Sequence, residues 1–294
     1  MAFDDVMGIV MQWSVATDAL AALGAELALQ QPGANGSPEI VAALKAVSTA
    51  AGLTGLDEIP PPQQAVALAL IRMNLHQATD LVDHPDRAPG WSVTDPAILD
   101  GWGRGSAMVP ALIASSHPHL ADVTSFLDVG TGVGLLAVAA ASVWPKATVV
   151  GIDPWETSLE RARANVAAAG LDGRITLRRQ ELARLDDIDA FDCVWIPSFF
   201  LTEADLDVGL EPAVRALRRG GWIALGRMRP KPDPLAHATN ALRTTRAGGC
   251  DLDADQAAKL LEGAGCDAVH IAKPPGPAPL EFVLGQRPVT DEGS

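Results

Sequence analysis

No stretch restricts the possible folds of this chain as tightly as Ser125 to Gly134, SFLDVGTGVG. An apolar strand runs into a turn holding Gly130, Gly132 and Gly134, and the residues that follow, LLAVAAASV, read as an apolar helix. Glycines in such a turn let backbone N–H groups come up against a ligand, because no Cβ stands in the way. Asp128 closes the strand just ahead of them, and a second strand, Ala147 to Ile152, runs into a second acid, Asp153. The interval from Gly134 to Asp153 is close to the roughly 20 residues that separate a nucleoside-binding glycine turn from the carboxylate accepting hydrogen bonds from ribose hydroxyls. The pattern predicts an adenosine-type ligand.

Spacing narrows the ligand further. The dinucleotide fingerprint G-x-G-x-x-G would need glycine at 135, where Leu135 stands; the third glycine comes one residue early. A carboxylate at Asp128 repels a pyrophosphate and attracts an ammonium group. S-adenosylmethionine carries such a group in its amino-acid tail, and a nicotinamide dinucleotide does not. Asp128-Val129-Gly130-Thr131-Gly132-Val133-Gly134 resembles the first motif of the class I S-adenosylmethionine-dependent methyltransferases, small-molecule O-methyltransferases among them.

The resemblance runs from about Trp91 to Arg287 and implies roles residue by residue. Val149 to Leu171 is similar to the family's second strand and following helix, which makes Asp153 the ribose acid and sets Pro154 and Trp155 beside the adenosine. Ile175 to Leu185 is similar to the third strand and its turn, with Glu181 where the family often has an Asp on the adenine amino group, and Leu182 next to it. Phe191 to Leu201 is similar to the fourth strand, at whose end Ile196 and Pro197 border the cofactor. Upstream, in LDGWGRGSAM, Arg104 or Ser106 is implied at the methionine carboxylate, with a simple kink at Gly101, Gly103 and Gly105 as the alternative.

The acceptor should then lie beyond the carboxyl ends of the parallel strands. Phe199 and Phe200 stand there, as acceptor contacts or as core, and Trp102 and Met108 reach it from upstream. His237 falls roughly where many small-molecule O-methyltransferases carry a base, without reproducing a recognisable base motif, so the catalytic group is unassigned. Glu203 and Asp205 read as helix caps, His117 and His119 as a surface turn, and His76 and His84 have no carboxylate arrangement suggesting a metal. Ile196-Pro197-Ser198-Phe199 replaces the N/D-P-P-Y type sequence of enzymes that methylate amide or exocyclic nitrogen.

The charge of −14 opposes a nucleic-acid substrate. Three widely spaced cysteines, Cys193, Cys250 and Cys266, argue against a disulfide framework and for a reducing, cytoplasmic setting. The N-terminal residues have acids where a secretory signal carries Lys or Arg, and the longest uncharged run, Asp128 to Lys146, is broken by the glycine turn, so no membrane segment is expected.

Up to Leu81 the pattern is helical, with Leu20, Leu23 and Leu27 sharing one face and Val66, Leu70 and Met73 another. Breaks fall at Gln31 to Pro38, Ile59 to Gln63 and His84 to Pro96, the last as a domain boundary. Residues 1–90 are expected to form a helical domain that covers the acceptor and pairs two subunits, and 91–294 an α/β domain. Its expected fold is a doubly wound, mostly parallel seven-stranded sheet of Rossmann-like methyltransferase type. Helices are expected over Asp95 to Ser116, Val133 to Val143, Trp155 to Ala169, Glu203 to Arg218 and Asp253 to Ala264, with Ala268 to Ala272 and Leu280 to Gln286 as a closing antiparallel pair. Methyl transfer from S-adenosylmethionine to a hydroxyl of a small molecule is the function this implies; a non-catalytic cofactor-binding scaffold and a nicotinamide-dependent oxidoreductase are the alternatives.

Overall fold

The computed structural model describes residues 2–91, 96–274 and 278–290. Outside them lie Asp95, where the upstream helix was expected to start, residues 92–94 of the boundary and 275–277 of the last linker. The chain divides into two compact units, Met1–Pro85 and Asp86–Ser294.

The first unit is helical. α1 (Phe3–Leu29), α2 (Pro38–Ala50) and α3 (Pro61–Asp83) are joined by the two breaks seen in sequence. Ser37 caps α2 by accepting from the Ile40 N–H, and Pro38 and Pro61 occupy first-turn positions where a missing N–H costs nothing. Leu27, Leu68 and Ile71 form the centre of its core, with Leu20, Leu23 and Leu75 against them. The face of α3 differs from expectation: Gln64, Leu68 and Ile71 are buried while Leu70 is exposed. Apolar residues surround that helix (AVALALIRM), so periodicity alone could not choose the side. α1 is also long and apolar enough, by length and composition, to cross a membrane; its most apolar 18 residues have a mean hydropathy of 1.4.

The second unit is a seven-stranded sheet in the order β3-β2-β1-β4-β5-β7-β6. β1 (Ser125–Val129), β2 (Thr148–Asp153), β3 (Ile175–Arg179), β4 (Phe191–Pro197) and β5 (Leu217–Met228) are parallel; β7 (Leu280–Gln286) inserts antiparallel between β5 and β6 (Asp267–Ala272). Every residue of β1 is buried, as a central strand covered on both faces requires. α6 (Leu135–Val143), α7 (Glu156–Ala168), α8 (Glu203–Ala216) and α10 (Ala254–Gly263) are the expected crossover and flanking helices.

Two elements depart from the sequence reading. The helix expected over 95–116 is two helices, α4 (Pro96–Ser106) and α5 (Val109–Ser116), because Pro110 supplies no N–H to continue the ladder and begins α5 instead. A further helix, α9 (Pro234–Arg246), was not anticipated. Its proline-rich approach masks a regular start, Asp233 accepting from Ala236 N–H at 2.7 Å with Pro234 in the first turn. His117 is also more than a surface residue: its ring lies 4.3 Å from Trp222 and stacks on His119, with His270 of β6 at 5.7 Å.

Candidate active site

The glycine turn closes over the carboxyl ends of β1 and β2. Gly130 and Gly132 have φ of 68° and 55°, a region in which a Cβ is strained, and around Gly132 a Cβ would meet only the Gly130 carbonyl at 3.9 Å. The turn is therefore open on the side where a ligand would lie. It is pinned from behind: Thr131 N–H donates to Ile152 O, and Gly132 N–H donates to Asp153 Oδ2 at 2.9 Å. Asp153 also accepts from the Trp155 N–H at 2.8 Å, so this carboxylate holds the turn and the start of α7 together while each oxygen keeps acceptor capacity. Burial pushes its pKa up, against the pull of those two N–H groups.

Asp128 is more unusual. It is 1% exposed, and only Oδ2 is satisfied, by the Thr131 hydroxyl at 2.7 Å. Oδ1 is buried with no partner among the described residues. Burial, with a smaller contribution from Asp153 and opposed by Thr131, pushes its pKa up to about 7. A buried carboxylate oxygen without a donor is costly unless a ligand supplies one. The ammonium group of S-adenosylmethionine supplies both a donor and the compensating charge, so the residues fit that cofactor.

α4 leans directly on the turn. A Cβ on Gly103 would stand 2.5 Å from Val133 Cγ2 and 3.0 Å from Leu135, so only glycine allows this approach. Asp100 and Arg161 form a bidentate ion pair that ties α4 to α7. Neither contact was foreseen; the glycines of GWGRG were the one signal for the first. Within α4, Ser106 donates to the Gly103 carbonyl and Arg104 is exposed, so neither side chain is held at a cofactor position by the protein itself.

The other expected cofactor residues divide into two sets. Pro197 lies over the turn, its Cγ 3.7 Å from where a Gly130 Cβ would be, and Trp155 and Pro154 follow Asp153. Ile196 and Leu182 point their side chains into the core, Leu182 against Gly209 of α8. Glu181 is exposed and pairs with Arg184 at 3.2 Å.

Next to Pro197 the chain makes a single 3-10 turn, Ser198–Phe200, and here the expected acceptor residues meet. Trp102 of α4 lies 5.3 Å from Phe200, and Trp91, which the sequence reading did not single out, lies 5.2 Å from Trp102 and 5.6 Å from Phe200. Phe199 adds a fourth ring, 4.8 Å from Phe200. The cluster is braced from outside. Gly90 N–H donates to Arg246 O and Cys250 N–H to Ser198 O, so the end of α9 holds both the Trp91 segment and the 3-10 turn. Trp102 Nε1–H is buried without a partner among the described residues, an unused donor in the aromatic cluster. Met108 is 40% exposed at the N-cap of α5. His237 is exposed in the first turns of α9.

A glycine turn over β1, an acid at the end of β2 and a reversed β7 in an otherwise parallel sheet define the class I methyltransferase fold. Residues 126–221 match a family described as a methyltransferase domain, about a third of the chain. The second unit has the fold of the class I S-adenosylmethionine-dependent methyltransferases, and its open glycine turn with the unpartnered Asp128 Oδ1 fits S-adenosylmethionine as cofactor. Among curated relatives, Methyltransferase GfsG of Streptomyces halstedii is 31% identical over 164 residues, 52% of this chain and 59% of that protein. The release factor glutamine methyltransferase of Rhodopirellula baltica is 34% identical over 179 residues, 59% of this chain and 60% of that protein. An O-methyltransferase family protein from Burkholderia thailandensis has the same fold, with a TM-score of 0.70 at 17% identity over 98% of each chain. The chain spans about 60% of the length of these two curated relatives.

Proposed function

We propose that this protein transfers the methyl group of S-adenosylmethionine to a hydroxyl oxygen of an apolar, planar small molecule. The observation that carries the reading is the cluster of Trp91, Trp102, Phe199 and Phe200 beside Pro197 and the glycine turn. Rings at such separations contribute both apolar area and favourable edge-to-face geometry to a flat ligand. The sulfonium supplies an already activated methyl group, so the protein's work is to hold the acceptor in line and exclude water. Asp128 and Asp153 anchor the two ends of the cofactor, and the aromatic cluster with Pro197 orients the acceptor.

Some relatives act on glutamine or on tRNA by name. The end of β4 favours oxygen over amide nitrogen: Ile196-Pro197-Ser198-Phe199 replaces the N/D-P-P-Y type sequence, which puts the apolar Ile196 at its first position, and Ser198 is buried and donates to Gly226 O at 2.8 Å. The net charge of −14 supports a small acceptor over a nucleic acid, and three free cysteines support a reducing, cytoplasmic setting. Labelled methyl transfer from S-adenosylmethionine to a panel of phenols, alcohols, amines and glutamine peptides tests this. Transfer to phenols or alcohols is expected; tight cofactor binding with transfer to no member would favour a non-catalytic scaffold.

A further inference from the structure

One buried donor in the second unit has nothing to receive its proton. Trp102 Nε1–H is shielded from solvent and makes no hydrogen bond among the described residues. Buried indole N–H groups usually find an acceptor, as Trp144 does in the same unit by donating to Leu120 O at 2.9 Å. The rings against Trp102, Trp91 at 5.2 Å and Phe200 at 5.3 Å, offer only π faces, which are second-order acceptors. A water fits poorly, since it needs two or more polar partners and this site is walled by rings.

The tryptophan is also held in place. Gly103, the next residue, packs where a Cβ would stand 2.5 Å from Val133 of the glycine turn, and Asp100, two residues earlier, is paired bidentately with Arg161. α4 is thereby fixed on both sides of Trp102, and a donor fixed before any ligand arrives is preorganised for one atom of that ligand. Its neighbour Gly103 touches the turn and its ring meets Phe200 of the 3-10 turn after Pro197, the region in which the proposed reaction has its acceptor.

A base, by contrast, is missing. The acids nearest these rings in sequence are engaged elsewhere, Asp100 by Arg161 and Asp205 by the Thr202 N–H and hydroxyl at the start of α8. Among the described residues no histidine ring packs on the cluster. An acceptor methylated here has to arrive with its proton already gone.

The unused donor and the missing base select the same chemistry. A carbonyl oxygen accepts the indole proton and has no proton of its own to leave stranded, as a second hydroxyl would. If that carbonyl is conjugated with the reacting hydroxyl it shares the anion's charge, so a donor placed on it favours the ionised form. A donor on the reacting oxygen itself would oppose the reaction, because that oxygen loses negative charge as its bond to methyl forms.

We propose that Trp102 Nε1–H binds a ring carbonyl conjugated with the hydroxyl that is methylated, and that the preferred acceptor is a planar vinylogous acid of the hydroxyquinone type. Its proton goes to water before binding. The anionic oxygen then attacks the sulfonium methyl carbon; the O–C bond forms as the C–S bond breaks, and the pair of electrons from that bond returns to sulfur, leaving a thioether and a methyl ether. The inference rests on the oxygen-acceptor reading above and names its substrate class.

Initial-rate kinetics with labelled S-adenosylmethionine on two matched acceptors test it: a hydroxynaphthoquinone with its hydroxyl beside a ring carbonyl, and naphthol. The wild type should prefer the quinone in kcat/KM, and Trp102→Phe should cut that ratio by about tenfold or more with the affinity for S-adenosylmethionine unchanged. Phe200→Leu, which removes ring area and no donor, should lower both rates and keep the ratio. The wild type alone gives a second reading. Naphthoquinone, which has the carbonyls and no hydroxyl to methylate, should compete with the acceptor, and naphthalene should do so about tenfold more weakly or not at all. A ratio that survives Trp102→Phe, or naphthalene inhibiting as well as naphthoquinone, would overturn this inference while leaving oxygen methylation in place. Transfer to neither acceptor by the wild type would overturn it together with that reading.

Discussion

Asp128 offers a sharp test, because the charge that serves the cofactor should cost the folded chain stability in its absence. An aspartate whose pKa lies higher in the folded than in the unfolded state holds its proton more tightly when folded. Ionising it above the folded value therefore opposes folding, and the penalty fades as pH falls toward the unfolded value near 4. A rise from 3.8 to about 7 corresponds to roughly 4 kcal/mol of such opposition at pH 8. Asp128→Asn removes the charge and keeps an acceptor for the Thr131 hydroxyl, but leaves the amide protons without a partner, at a cost of about 1–3 kcal/mol. The net is a stabilisation of about 2 kcal/mol at pH 8, or about 4–8 °C in the melting temperature of a unit of this size. Differential scanning fluorimetry of cofactor-free protein between pH 5 and pH 8 measures it. The variant's advantage should be present at pH 8 and shrink or reverse at pH 5. At pH 8, S-adenosylmethionine should raise the melting temperature of the wild type far more than that of the variant. A variant less stable than wild type at pH 8, or a difference that does not change with pH, would refute the reasoning.

The other predictions concern packing and the acceptor side. Gly103→Ala forces a Cβ to within 2.5 Å of Val133 and should destabilise the second unit by about 1–3 kcal/mol while weakening cofactor binding, read by urea titration and calorimetry. Trp102→Ala should raise the acceptor KM with little change in the affinity for S-adenosylmethionine, since the ring faces Phe200 and Trp91; an effect on the cofactor alone would move this residue out of the acceptor site. His117 has its pKa lowered by burial, then by His119 and His270. The unfolded chain thus takes up the proton first, and this site's contribution to stability falls as pH drops through the ordinary histidine value near 6.5. His117→Gln should flatten that part of the stability profile, which thermal melts from pH 8 to pH 5.5 would show.

Much of the second unit was legible because its signals are local. SFLDVGTGVG announces a strand, a turn and a helix within ten residues, and the linker after Ala272 is too short for a crossover, which fixes β6 and β7 as antiparallel. What escaped depends on contacts far apart in sequence. Trp91 gains meaning only because Gly90 is tied to Arg246 and the ring lands on Trp102 and Phe200. The Asp100–Arg161 pair joins residues 61 positions apart. α9 was hidden by its prolines, which signal a loop until Asp233 is read as a cap. Side-chain direction was equally invisible: that Glu181 turns to Arg184, and that Leu182 turns inward against Gly209, follows from the 3-10 turn they begin.

The central claim is that a sulfonium nucleoside docks over the glycine turn with its sugar on Asp153. Isothermal titration of S-adenosylmethionine into the wild type and into Asp153→Ala addresses it most directly, because that carboxylate holds both the Gly132 and the Trp155 N–H groups and is the one acid at the end of β2. The account predicts one site per chain in the wild type and a loss of affinity of about a hundredfold or more in the variant, from the loosened turn together with the lost ribose contacts. Equal affinity in the two proteins, or no binding to the wild type, would contradict it.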